Sequence, residues 1–88
     1  MPVYQLVLES KDRWENVDQG HRYNTALENR GGMVRRHGSG LEWTTLKEAR
    51  EAARWLAGVY SREDNVRAVC VVPEHGPGGK VLLRAKVK

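Results

Sequence analysis

Apolar and polar positions alternate through residues 3–8. Tyr4, Leu6 and Leu8 point one way and Val3, Gln5 and Val7 the other, which predicts a β-strand with one fully apolar face. Ser10, Lys11 and Asp12 end it. Residues 11–32 then lose any period, because Trp14, Val17, Tyr23 and Leu27 are too widely spaced, and they read as an irregular insert. Within it, Asp18, Gln19 and Gly20 have turn chemistry. Residues 24–30 predict one short helix, with Thr25 and Glu28 at capping-box spacing and Gly31 and Gly32 to stop it. Residues 33–43 predict a hairpin that turns on Gly38, Ser39 and Gly40.

The clearest pattern follows. Thr45 and Glu48 form a Ser/Thr-x-x-Glu signature ahead of a helical stripe of Leu46, Ala49, Ala53, Leu56 and Tyr60, widened by Ala52 and Val59. At ~100° per residue, Lys47, Arg50 and Arg54 share the opposite face, with Glu51 beside them and Trp55 at the boundary. The helix should end near Ser61. Residues 66–72 are β-branched and apolar on nearly both faces, as an inner strand buried on both sides would be. A Gly/Pro-rich loop leads to a last strand over 80–88, antiparallel to the inner one. Val81, Leu83, Ala85 and Val87 share one face of that strand; Arg84, Lys86 and Lys88 share the other. The expected fold is α+β in two layers, a single domain over 1–88. A mostly antiparallel sheet of four or five strands carries one main amphipathic helix on one face.

Composition adjusts this picture in three ways. At 88 residues there is room for one core, so a surface groove or flat interface is the natural site. No apolar run reaches the ~20 residues of a membrane-spanning helix, and the start lacks a secretory signal. With one cysteine, Cys70, no internal disulfide can form, which fits a reducing, cytoplasmic setting. The net charge of +4 is uneven. Residues 66–88 carry Arg67, Lys80, Arg84, Lys86 and Lys88 against Glu74 alone.

Candidate chemistry is sparse. Cys70 lies mid-strand in an apolar run and reads as core, not nucleophile. His21, His37 and His75 are scattered over loops without metal-pair spacing, and the glycine pairs lack a phosphate-loop context. The expectation is a protein without catalytic residues, cofactor or metal. The basic residues carry more weight. Arg30, Arg35, Arg36 and His37 surround the first hairpin, while Arg84 and Lys86 lie on the last strand. If these groups meet on the uncovered sheet face, with Trp14 or Trp43 nearby, they form the expected binding surface. The helix row of Lys47, Arg50 and Arg54, with Trp55, is the second choice. A basic face with aromatic platforms suits single-stranded nucleic acid. Spare Trp and Arg equally suit a protein interface. Self-association as a homodimer is a third option.

The stretch Trp43, Thr44, Thr45, Leu46, Lys47, Glu48, Ala49, Arg50, Glu51, Ala52, Ala53, Arg54, Trp55, Leu56, followed by the Val-rich 66–72, resembles short accessory proteins of phages that infect high-GC bacteria. In those proteins a strand leads through a Thr-capped, Ala-rich helix to a Val-rich strand. The resemblance covers about a third of the chain by length. It implies a phage accessory protein that binds, and inhibits, a host protein, and it carries over no functional residues.

Overall fold

The alternating N-terminal segment forms β1 (Tyr4–Ser10), and the chain turns back at once into a short β2 (Trp14–Asn16). A five-residue α1 (Asn24–Glu28) precedes a two-stranded ribbon, β3 (Met33–Val34) with β4 (Leu41–Glu42). The main helix α2 (Leu46–Val59) leads to β5 (Val66–Pro73) and β6 (Leu83–Lys86). This arrangement comes from a computed structural model, which describes residues 3–18, 20–34, 40–61, 64–73 and 80–88. The main sheet has the order β2-β1-β5-β6, antiparallel throughout. The fold is therefore α+β, with α2 packed on one face of a four-stranded sheet.

The helix forms where its signals predict. The Thr45 hydroxyl accepts from the Glu48 N–H at 3.2 Å and donates to the Glu48 carboxylate at 2.8 Å, which satisfies one of the helix's unpaired first-turn donors. Ala49, Ala52, Ala53, Leu56 and Ala57 are buried against Leu6, Leu8, Val69 and Val71. Small alanine side chains let the helix axis approach the sheet, and Leu56 supplies the bulk. Val59, expected to widen the stripe, is exposed, and Tyr60 ends the helix in an extended conformation.

One end of the core is closed by Val17, Leu27, Leu41 and Trp43, all buried. Trp43 is 0% exposed and donates its indole N–H to the Arg30 carbonyl at 3.0 Å, so its polar tip is satisfied inside the protein. Two glycines make this possible. Gly31 has φ +93°, and a Cβ on Gly32 would lie 2.9 Å from the Leu27 carbonyl oxygen and 3.0 Å from the Trp43 ring.

Three expectations are corrected. The insert is not irregular: Trp14, Glu15 and Asn16 pair with Glu9, Leu8 and Val7, and the Val17 N–H continues the ladder to the Leu6 carbonyl. Thr25 does not cap α1. Tyr23 precedes the helix, without a side-chain cap, and helical backbone bonds already begin with Leu27 N–H to the Tyr23 carbonyl. The first hairpin does not join the last strand. The ribbon attaches on the β1–β2 side of the sheet, through a Tyr4–Trp43 bridge to β1 and an Asp18–Gly40 bridge just past β2, while β6 lies at the opposite edge beyond β5. Long-range backbone pairing decides both placements, and no local pattern encodes it.

Candidate binding surface

Strand register places side chains on the two faces of the sheet. Leu6, Leu8, Val69 and Val71 face the helix. The opposite face carries two cross-strand rows, one of Trp14, Glu9, Ala68 and Lys86, the other of Asn16, Val7, Cys70 and Arg84. Trp14, Arg84 and Lys86, expected to share a surface, therefore do share a face, with Trp14 at one edge and Lys86 at the other. Trp14 is 41% exposed.

The centre of that face is not open. Val7, Ala68, Cys70 and Val72 are all buried, as expected of an inner strand apolar on both faces, and this corrects the expectation that the face away from the helix is left free. The Arg84 guanidinium donates to the Glu9 carboxylate at 2.6 Å. Arg84 stands beside Cys70 on β6 and Glu9 beside Ala68 on β1, so the pair crosses β5. Burial and the Glu9 charge push the Cys70 thiol above its ordinary pKa, which keeps it protonated and unreactive.

Arg30 has a different neighbourhood. It sits 4.0 Å over the Trp55 ring and donates to the Ala26 carbonyl at 3.0 Å. Trp55, half-buried, also meets the Tyr23 ring edge-on. Both residues pin α1 to α2 on the helix side, away from Trp14 and Lys86. Lys47, Arg50 and Arg54 line the exposed face of α2. Arg35, Arg36 and His37 lie outside the described residues.

A second feature was not expected from the sequence. A cleft of about 910 Å³ opens between the β1–β2 turn, the insert and the end of α2, with His21, Arg22, Tyr60 and Asp64 in its wall. Asp18 prepares it by accepting the Gly20 N–H at 2.9 Å, which turns the chain so that His21 faces Tyr60. The His21 Nδ1 accepts the Tyr23 N–H at 3.1 Å, so the proton of the neutral ring sits on Nε2 and is donated to the Tyr60 hydroxyl. Burial, then the Arg22 charge, lowers the His21 pKa; Asp18 and Glu15 oppose this. Burial pushes Tyr60 up to about 12. Asp64 accepts from the Ser61 N–H at 2.8 Å and from Arg22 at 3.0 Å, and both bonds hold its carboxyl below the usual range. Arg22 also lies over the Tyr23 and Tyr60 rings. The cluster ties the insert to the helix end. Its one legible signal is Asp18 two residues ahead of Gly20, which marks the turn but not the partner 39 residues away.

Among the described residues no group of three His, Cys, Asp or Glu side chains is placed to hold a metal ion. No helix among the described residues is long and apolar enough to cross a membrane. Compared with known proteins, the chain matches no family model, no curated protein sequence and no solved structure.

Proposed function

We propose that this chain is a small non-enzymatic binding protein, and that it docks on a partner protein through the sheet face that bears Trp14. The observation that carries the reading is Trp14 itself. It is a large aromatic left exposed on an edge strand, while Trp43 is consumed by the core and Trp55 by Arg30 and Tyr23. Exposed Trp amid polar neighbours is the residue type that dominates interface energetics. The arginines favour protein over nucleic acid. Arg84 and Arg22 each hydrogen-bond a carboxylate of this chain, which lowers the local positive charge that a phosphate would meet there. The resemblance to phage accessory proteins makes a cytoplasmic protein of a bacterial host the expected partner, with inhibition as the expected consequence.

Capture from nuclease-treated host lysate tests this. One defined protein should be retained by the wild-type chain and by a Lys47→Glu, Arg50→Glu, Arg54→Glu triple variant. Trp14→Ala should lower affinity about thirtyfold or more while the fold persists. Retention by Trp14→Ala with loss in the triple variant moves the site to the helix. A nucleic-acid reading draws on the basic end of the chain. It requires that only nucleic acid is captured and that affinity falls with salt at a log–log slope near −0.9 per phosphate contacted on duplex DNA.

A further inference from the structure

We infer that the outer edge of β6 accepts an extended, acidic segment of the partner as a fifth strand of the sheet. This rests on the protein-binding reading above and names the chemistry of the bound segment. The backbone supplies the first argument. The Val87 N–H bonds the Arg67 carbonyl at 2.8 Å, and Ala85 pairs with Val69. Alternate residues of an antiparallel strand bond to opposite sides, so Ala85 and Val87 face β5 and the N–H and C=O groups of Arg84 and Lys86 point away from the sheet. No described residue pairs with them, because β6 ends the sheet order. An edge with such a free ladder is a template for strand addition.

The side chains select the occupant. Leu83, Ala85 and Val87 pack against the core but are only half-buried, and Val81 beside them is exposed. Alternate apolar residues of an added strand would complete their cover on the helix side. On the other face stand Arg84, Lys86 and, by alternation, Lys88, against which the intervening residues of the added strand would lie. A second copy of this chain is disfavoured there. Antiparallel β6–β6 pairing would set Arg84 and Lys86 against their own counterparts, and like charges opposite one another destabilise a sheet. Glutamate or aspartate at those positions gains instead. Glu9 already engages Arg84, so Lys86 and Lys88 are the cations left to read the partner.

The test uses the full chain and a blocked hexapeptide that alternates glutamate and valine. With peptide at about ten times its Kd, amide hydrogen exchange at Arg84 and Lys86 should slow about tenfold, and exchange at Ala85 and Val87 should not change. The lysine–valine counterpart should give no protection. In Lys86→Glu the preference between the two peptides should reverse. Absence of protection at Arg84 and Lys86, equal protection by both peptides, or equal protection by oligothymidylate would each overturn strand addition. Failure of this inference is separable from failure of the function. If the peptide leaves those amides untouched while Trp14→Ala still abolishes capture of a host protein, strand addition is wrong and protein binding stands. If the peptide protects as expected but no protein is captured, the edge has the specificity inferred and the wider reading falls.

Discussion

At residue 21, two hydrogen bonds specify one protonation state. His21 accepts from the Tyr23 N–H through Nδ1, which only the neutral ring can do. Protonation at that nitrogen would set donor against donor and place a cation beside Arg22. The folded-state pKa lies below the ordinary 6.5, so the neutral ring favours the fold. That contribution is complete above the unfolded pKa and is lost as pH falls from there through the folded value. Urea midpoints should therefore drop between pH 8 and pH 5, and the drop should be smaller in His21→Gln; parallel pH profiles for the two proteins would contradict this. Asp64 acts in a separate, more acidic window. Its pKa is lowered from 3.8, so its contribution is present above that value and is lost as pH falls further. Gly32 offers a residue-scale test of packing. Gly32→Ala should destabilise by about 1–3 kcal/mol, the usual cost of overpacking a filled core, as measured by chemical denaturation.

At the scale of elements, α2 is the keystone. Its alanines set the distance to the sheet, and Leu56 fills the space they leave. Leu56→Ala should cost about 2–5 kcal/mol, enough to unfold much of the population in a domain of this size. A loss under about 1 kcal/mol would mean that α2 does not seat on β1 and β5 as described. Thr45→Ala removes the cap and should cost about 1 kcal/mol without altering the core. The legibility of the elements follows the same division. The α2 pattern repeats over 14 residues and is capped locally, so its position could be read. β2 spans three exposed residues and owes its existence to the edge of β1, so it could not.

For the whole molecule, charge placement matters more than charge count. A net +4 suggests a partner rich in phosphate, yet the folded chain sets Arg84 on Glu9, Arg22 on Asp64 and Arg30 on the Trp55 ring. Removing one internal anion should expose the latent preference. Glu9→Gln should change stability by less than about 1 kcal/mol, because the Arg84–Glu9 pair is partly solvated. It should also raise affinity for single-stranded oligonucleotide and steepen its salt dependence, measured by fluorescence anisotropy. An unchanged affinity would mean that Glu9 does not neutralise that face.

The sequence by itself determined the α+β class, the course of β1, α2, β5 and β6, the cap at Thr45 and the burial of Cys70. Each rests on a local period or a short-range bond that the chain carries wherever it folds. It also placed Arg84 and Lys86 on one face of the last strand, since strand alternation is a local rule, whereas Trp14 reached that face only through the pairing of β2 with β1. Only the tertiary structure decided that the ribbon joins β1 and not β6, that Arg30 serves Trp55, and that His21 meets Tyr60. These are contacts between segments far apart in the chain. They are selected by which hydrogen-bonding edge and which unfilled part of the core remain once the stronger elements have packed, and no residue's immediate neighbours record that outcome.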